Sequence, residues 1–541
     1  MNEPQIAEVG SPDVPTVTDP HRRRMILASM CIALVAVVAS VSGLNVAQQS
    51  LAADLGASQS ALLWIINGYT IALAALLLPI GAIGDRWGRR PVLLAGLTVF
   101  LGASLGAAFA TGTTMLLVLR VIAGVGAAMI MPVTLSVITS TFPGEERERA
   151  IGIWAGFAGA GGILGLIVSS FVVDNVTWPW VFALPVVMAA ISLALSTVYV
   201  PHSKEHAEGR FDTVGSILSA VAVGALVLGI HEGPEVGWTA PLALGGLIVG
   251  LVAGVAFVLW ELRQDHPLLD LKVFRNRSLA GGSLALFSVF ALMGALFLVL
   301  VQFLQAVLGY SAVKASVSLL PLAAIMMPLS SVAPLLARRV GIRTMLVVGP
   351  TLMAIGMALM AGMASIEGGY WSVLPGLAVL AVGIGLSMTP GTTAITGSLP
   401  EEEQGVASAL NDTVRELGTA VGVALIGSML SAGYSSAVAG STSALPADLA
   451  HTVEEGIAGA AGVSQGMAQR GFVAEAGQLW DAARTAFVDG WTGAMWLSAG
   501  IALVTAALAA AVLPRRDADL HIADPAATLD RTEPLEAALV D

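Results

Sequence analysis

Three ionisable residues lie inside one long apolar run in the C-terminal part of the chain. Asp412, Arg415 and Glu416 stand at positions i, i+3 and i+4 of the run Val406–Leu430, so a helix would place them on one face. A carboxylate held away from water beside an arginine can load and release a proton at accessible pH. We therefore expect Glu416, the deeper acid, to carry protons. Asp412 could share that role or form a neutralised structural pair with Arg415.

A fourth charge within an apolar run is Arg120, in the segment Met115–Ile138, which contains no acid. An ionised group inside a bilayer is costly unless it is paired or faces water, so it marks a functional site by default. The sequence leaves two interpretations open. Arg120 either acts on an acid of another helix or is satisfied by backbone carbonyls of a neighbouring helix.

The chain that must position these charges is mostly apolar. It has 541 residues, of which 56% are hydrophobic and 11% charged, and its mean hydropathy is +0.83. Soluble proteins carry about 25% charged residues, so a soluble enzyme is excluded. Fourteen apolar runs have roughly the 20 residues that a membrane helix needs. The predicted fold is an all-α polytopic membrane protein with 14 transmembrane helices, numbered here as spans 1 to 14.

The basic residues predict how the chain is oriented. Twenty of the 25 Lys and Arg residues fall in connections on the side of the N-terminus, and three, Lys314, Arg470 and Arg484, fall on the other side. Basic residues favour the cytoplasmic side, so both termini are expected in the cytoplasm. We predict a cytoplasmic tail over 1–24, a six-span bundle over 25–200, two inserted spans with flanking loops over 201–278, a second six-span bundle over 279–513 and a cytoplasmic tail over 514–541. Within the second bundle, 432–488 is expected to be a long external loop, a partly helical flap rather than a binding domain.

Two short basic turns repeat eight spans apart. The first turn, residues 81–90, reads GAIGDRWGRR, and the second turn, residues 334–343, reads PLLARRVGIR. Duplicated halves are typical of secondary transporters, which bind substrate between the halves. An acid among arginines at helix ends can form a breakable contact that stabilises one alternating-access state; a solvated turn that only anchors the topology is the alternative. The candidate residues of this conformational latch are Gly81, Asp85, Arg86, Gly88, Arg89 and Arg90.

The segment GAIGDRWGRRPVL at 81–93 resembles the G-x-L-a-D-R-x-G-R-[KR]-x-x-L signature of the major facilitator superfamily. The fourteen-span layout resembles its drug:proton antiporter branch. This resemblance implies two six-helix halves with two inserted spans, proton-driven multidrug efflux, Glu416 as the acid of span 13, and Arg120 in proton coupling. The chain departs from the family in span 1, where Ser40 replaces the usual Asp. Four further segments carry the resemblance: 64–70, 116–128, 270–277 and 415–418.

Other kinds of chemistry leave no signal in the sequence. No lysine follows a glycine, so the phosphate-binding loop of ATPases is absent. All seven histidines are predicted to lie outside the spans, and no His or Cys cluster has metal-ligand spacing. The chain has no basic stripe for nucleic acid. We expect no cofactor, no metal, no nucleic acid and no enzymatic activity. The expected partners are a small amphipathic substrate, protons and the lipid bilayer, and the expected state is a monomer.

Together these features predict a secondary active transporter. It would export hydrophobic or amphipathic drugs, expected to be cationic, across the plasma membrane by proton antiport. One alternative is a dedicated exporter of one endogenous metabolite, antibiotic or lipid with altered proton coupling, and another is a transporter-shaped sensor or scaffold. The polar residues expected to line the substrate cavity, unless they form interhelical hydrogen bonds, are Asn45, Gln48, Asn67, Gln302, Gln305 and Asn411.

Overall fold

The computed structural model describes residues 17–202, 211–443 and 445–514. Within these ranges the regular structure is helical, and fourteen helices are long and apolar enough to cross a membrane, which confirms the predicted span count. Most of both predicted tails and the basic residues Lys204 and Arg210 lie outside the described residues. Fourteen crossings bring the start of span 1 and the end of span 14 to one side, here called the terminal face.

The spans vary in length from 17 to 40 residues. Span 9 continues into a short π-helix, Phe303–Val307, and span 10 is broken into two helices where Pro321, which lacks an N–H, begins the longer part. In chain order the spans are Pro20–Leu55, Gln59–Trp87, Arg89–Ala107, Thr113–Thr141, Gly144–Asn175, Ala183–Tyr199, Thr213–Val236, Pro241–Glu261, Arg277–Gln302, Ala312–Val317 with Leu320–Val340, Ile342–Met363, Leu374–Thr396, Gln404–Thr442 and Val473–Val512.

Small residues set how closely the spans approach one another. A Cβ added at Gly165 of span 5 would lie 2.7 Å from the Cα of Ala39 in span 1. One added at Gly126 of span 4 would lie 2.7 Å from the backbone nitrogen of Phe100 in span 3. Close backbone contact of this kind replaces the hydrophobic driving force that is missing between helices in lipid. Gly165 and Gly126 are therefore helix contacts.

The two inserted spans, 7 and 8, pack against each other, and span 7 also covers spans 2 and 13. Span 7 extends to Val236, because the helix continues through the polar pair His231 and Glu232. The Glu232 side chain of that pair is buried. His231 thus lies within span 7, and the prediction that all histidines lie outside the spans was wrong.

The predicted external loop 432–488, here called the cap, is largely helical. Span 13 continues to Thr442, span 14 already begins at Val473, and the helices Ala447–Glu455 and Ile457–Gln469 lie between them. Apolar residues recur at helical spacing in these helices, and their buried faces are continuous with the main core of the protein. The expected helical content is confirmed, but the connection is a packed structure and not a long loop. Its buried residues include Val453, Ile457, Ala460, Leu479 and Ala483.

Candidate functional site

The first turn connects the two halves at the terminal face. Asp85, in the last helical turn of span 2, accepts hydrogen bonds from the backbone N–H groups of Gly405 at 2.8 Å and Val406 at 3.1 Å. These amides belong to the first residues of span 13. Amides at a helix N-terminus have no intrahelical partner, and the helix dipole favours negative charge there. The Asp85 carboxylate therefore caps a helix of the opposite half.

The contact around Asp85 is buried. Its Oδ1 also accepts from Arg89, from Nη2 at 3.1 Å and from Nε at 3.3 Å, and the two residues are 6% and 2% exposed. A Cβ added at Gly81 would lie 2.5 Å from the carbonyl oxygen of Gly405, so spans 2 and 13 touch through their backbones. Gly88 has φ 105°, a left-handed value that favours glycine. The turn thus places a carboxylate and its counter-charge away from water.

Arg90 and Arg86, the other two arginines of the first turn, differ from Arg89 in their surroundings. Arg90 donates to the carbonyl oxygen of Thr197 at 2.6 Å and lies 2.6 Å from Nδ1 of His202. Both partners belong to the N-terminal half, so Arg90 does not take part in the contact with span 13. Arg86 lies in the last turn of span 2, where it is partly buried. Arg89 forms an ion pair with Asp85 at 3.1 Å.

The second turn repeats the backbone of the first. Gly341 has φ 87° and ψ 146°, close to the 105° and 136° of Gly88. Arg343 donates to the carbonyl oxygen of Ala510 in span 14, as Arg90 does to span 6. This turn also reaches the opposite half, where Arg338 Nε lies 2.9 Å from Glu148 Oε2 at the start of span 5, but the two side chains are 35% and 33% exposed.

The charged residues of span 13 form a buried cluster. Arg415 Nη1 donates to Asp412 Oδ1 at 3.1 Å, so the pair predicted as one alternative for Asp412 is present. Asn411 Nδ2 donates to the same oxygen at 3.1 Å, and both Asn411 and Asp412 are 0% exposed. Asp412 Oδ2 and Asn411 Oδ1 have no partner among the described residues. Asn411, predicted to line the cavity, belongs to this cluster.

The Arg415 guanidinium lies between the two halves. Its Cζ is 4.4 Å from the ring centroid of Phe290 in span 9 and 5.3 Å from that of Trp154 in span 5. Both distances are typical of cation–π contacts. Glu416, the next residue, is partly exposed and interacts electrostatically with Arg415 and Asp412 on its own helix.

Arg120 is buried on the N-terminal side of the same interface, with 1% of its surface exposed. Its Nη1 donates to the Ser40 hydroxyl at 2.9 Å, and its Nε donates to the carbonyl oxygen of Ile65 at 3.3 Å. The guanidinium Cζ lies 4.2 Å from the ring centroid of Tyr69. The carbonyl contact predicted as one alternative is present, together with a hydroxyl at the position of the family's usual acid.

The structure places the residues predicted to line a cavity in different surroundings. Gln48 Nε2 donates to Asn45 Oδ1 at 3.3 Å, and Asn45 is exposed. Asn67 and Gln302 are partly exposed. Gln305 lies in the π-helix and lines a cavity of about 460 Å³ whose other walls include cap residues. The expectation of one shared pocket is therefore not supported for Gln305.

Sequence reasoning missed several contributors. An aromatic residue in an apolar run is not distinguished from its neighbours by sequence, and backbone amides are the same in every sequence. Both kinds of group contact the buried charges of the site. Glu403, just before span 13, was also missed: burial and the carboxylates of Asp85, Asp270 and Glu402 raise the pKa of Glu403. The missed groups are Tyr69, Trp154, Phe290 and Glu403 with the amides of Gly405 and Val406. The described residues contain no group of three or more His, Cys, Asp or Glu that could hold a metal.

Comparison with known proteins agrees with the geometry. A family model described as Major Facilitator Superfamily matches residues 29–423. The multidrug efflux pump LfrA of Mycolicibacterium smegmatis is 33% identical over 91% of this chain and 97% of its own length. The tetracenomycin C resistance and export protein of Streptomyces glaucescens is 31% identical over 75% of each chain.

Solved structures show the same fold. A proton:xylose symporter, XylE, superposes with a TM-score of 0.59 at 14% identity and covers 91% of this chain and 96% of its own. The human organic anion transporter MFSD10 superposes with a TM-score of 0.58 at 14% identity, over 91% of this chain and 100% of its own. At 14% identity this similarity establishes the arrangement of the helices and does not identify the substrate.

Proposed function

The chain belongs to the major facilitator superfamily, and we propose that it exports amphipathic drugs with a cationic centre across the plasma membrane in exchange for protons. It is a multi-pass membrane transporter and not an enzyme. Its relatives are named for multidrug efflux and antibiotic export, which supports drug export. Proton coupling and the charge of the substrate rest on the residues of the site.

One observation carries the proposal: a single helix, span 13, holds both the buried charges and the amides that Asp85 caps. Gly405 and Glu416 are separated by about 16 Å along the helix at 1.5 Å per residue. A helix moves as a rigid element over this distance, so a change at Glu416 reaches the first turn through the displacement of span 13. This arrangement links a proton-binding group to a contact between the two halves.

The state of the molecule suggests the direction of this coupling. Both turns hold the halves together at the terminal face, which would be the cytoplasmic face if the basic residues orient the chain as expected. With Glu416 ionised, the cluster Asp412, Arg415 and Glu416 bears one net negative charge. Protonation from outside neutralises it, and a neutral cluster is less costly to bury between helices. Closure of the outer side around span 13 then favours release of the Asp85 carboxylate from the amides of span 13 and opening to the cytoplasm. There Glu416 releases its proton, and a cationic substrate binds in its place.

A dedicated exporter of one endogenous antibiotic is the second candidate. The relative named for tetracenomycin C export supports it, and so does Ser40, which leaves Arg120 without an acid from span 1. A dedicated exporter would transport one compound of a chemically varied panel, whereas a multidrug exporter would transport several unrelated cations.

Transport by the purified protein in proteoliposomes tests the proposal. A pH gradient should drive uphill movement of ethidium and rhodamine 123, and an uncoupler should stop it. Glu416→Gln keeps the size of the side chain but cannot release a proton, so uphill movement should fall at least tenfold while downhill exchange continues. Asp412→Asn is the matched control with a smaller effect, because Asp412 is paired with Arg415. Uphill transport by Glu416→Gln at the parent rate would refute the assignment of Glu416.

The proposed orientation has its own test. Cysteines at Asp448 in the cap and at His266 between spans 8 and 9, each in a Cys31→Ser background, stand on opposite faces and are exposed. A membrane-impermeant thiol reagent added to intact cells should label the first and leave the second unlabelled. The reverse pattern would show that the termini are outside.

A further inference from the structure

Arg120 is a buried cation without an acidic partner. Its hydrogen bonds go to the Ser40 hydroxyl, the Ser40 carbonyl and the Ile65 carbonyl, all of which are neutral. Its Nη2 has no hydrogen-bond partner among the described residues, although the residue is only 1% exposed. An arginine stays protonated in proteins, so this charge is compensated by neutral dipoles alone. A buried charge of this kind needs an opposite charge from elsewhere.

The acids of span 13 do not supply that charge. Asp412 is paired with Arg415 at 3.1 Å, and the electrostatic interactions of Glu416 on its own helix are with Arg415 and Asp412. The Tyr69 ring covers the Arg120 guanidinium at 4.2 Å, and the Tyr69 hydroxyl donates to the carbonyl oxygen of Val37 at 3.1 Å. The molecule therefore has a positive site at Arg120 in the N-terminal half and a cluster with one net negative charge on span 13, when Glu416 is ionised.

We propose that Arg120 binds a carboxylate of the exported molecule, so that the preferred substrates are amphipathic zwitterions. This inference rests on the proposed function, in which span 13 receives the cationic centre. Nη2, which is unpaired, and the adjacent Nη1 form the planar fork that matches a carboxylate. A carboxylate oxygen can take the place of the Ser40 hydroxyl as the acceptor for Nη1. The Tyr69 ring on the guanidinium face keeps that fork fixed.

Rhodamine 110 and its methyl ester, rhodamine 123, provide the test, because they share the cationic ring system and differ in the carboxyl group. We expect the purified protein to bind rhodamine 110 at least tenfold more tightly than the ester, measured as the ratio of the two Kd values by fluorescence polarisation. Arg120→Gln should reduce that ratio to about one, and Arg120→Lys should leave an intermediate value because the charge remains without the fork.

Ser40 offers a matched pair of variants. Ser40→Asp places a tethered carboxylate beside Arg120 and should also reduce the ratio to about one, whereas Ser40→Asn, of equal size but uncharged, should change it less than threefold. Thermal unfolding of each variant identifies any that fail to fold. If Arg120→Gln does not fold, Ser40→Asp tests the inference in its place.

The outcomes separate this inference from the proposed function. Equal Kd values for the two dyes in the parent protein, or a ratio unaffected by Arg120→Gln and Ser40→Asp, would overturn the inference. If rhodamine 123 is pumped uphill under a pH gradient in the same preparation, drug export stands regardless of that result. If it is not, the proposed function fails by itself.

Discussion

The two turns at the terminal face have the same backbone but different chemistry. In the repeat, Asp85 of the first turn aligns with Arg338 of the second, and Gly88 aligns with Gly341. Asp85 binds backbone amides at the start of span 13, whereas Arg338 binds the carboxylate of Glu148 at the start of span 5. Each turn thus contacts the opposite half, with the charge reversed.

The difference between the turns is burial. Asp85 and Arg89 are buried, so the loss of either would remove the ion pair of a charge that is withdrawn from water. The Arg338–Glu148 pair is one-third exposed, and exposed ion pairs contribute about 0–1 kcal/mol. The two turns therefore share the shape of the backbone, and we expect the buried contact of the first turn to stabilise one state more strongly than the exposed pair of the second.

The largest effect is expected for Asp85→Asn. The change leaves Arg89 buried without its carboxylate, and breaking a buried pair in this way costs about 3–5 kcal/mol. Initial efflux rates should fall at least tenfold in proteoliposomes while the thermal unfolding curve shows a folded protein. An efflux rate equal to that of the parent would mean that the first turn only anchors the topology.

Gly81→Ala should have the next largest effect. The added methyl group would lie 2.5 Å from the Gly405 carbonyl oxygen and 2.6 Å from the Ala409 Cβ, so spans 2 and 13 must separate, at about 1–3 kcal/mol. We expect a severalfold loss of efflux. Gly84→Ala on the same helix is the control, because its Cβ would meet only Val133 at an ordinary 3.5 Å. Similar rates in the two variants would argue against the close contact.

A smaller effect concerns pH. Burial and the acids Asp85, Asp270 and Glu402 raise the pKa of Glu403, so the folded protein binds this proton more tightly than the unfolded chain does. Stability should therefore increase as the pH falls from above the raised pKa towards the ordinary value of about 4.3. Thermal unfolding between pH 8 and pH 5 should show the rise, and Glu403→Gln should flatten it. A profile unchanged by Glu403→Gln would show that other groups cause the pH dependence.

The smallest effect is expected at the second turn. Arg338→Gln and Glu148→Gln remove an exposed pair, so each should change the efflux rate less than twofold. The same transport assay that detects Asp85→Asn provides the measurement. A tenfold loss in either variant would make the two turns equivalent and remove the contrast between them.

The sequence predicted the parts of this molecule that depend on composition and spacing. Hydropathy was sufficient for the span count because each membrane helix must be apolar along its length. Helical spacing placed Asp412, Arg415 and Glu416 together, and the pair between the first two is present. The prediction for His231 was wrong, because span 7 continues through this polar residue and buries the neighbouring Glu232.

Contacts between distant segments could not be derived in the same way. The partners of Asp85 are backbone amides, which have the same chemistry in every sequence, and they became visible only when span 13 was placed beside span 2. The aromatic rings around Arg415 come from spans 5 and 9, and nothing in their local sequence distinguishes them from residues that face lipid. Gln305 was expected in the central cavity because it is polar, yet it lies beside the cap.

The central claim is that protonation of span 13 opens the contact between the halves at the terminal face, and a distance measurement tests it most directly. Spin labels at Arg149 and Arg339, both exposed and on opposite halves, in a Cys31→Ser background, report the separation of the halves by pulsed electron paramagnetic resonance. Lowering the pH should shift the population from a short to a longer distance in the parent protein and in Asp412→Asn. Glu416→Gln should show mainly the longer distance, in proportions that do not change with pH. A Glu416→Gln protein that retains the pH-dependent shift of the parent would contradict the claim.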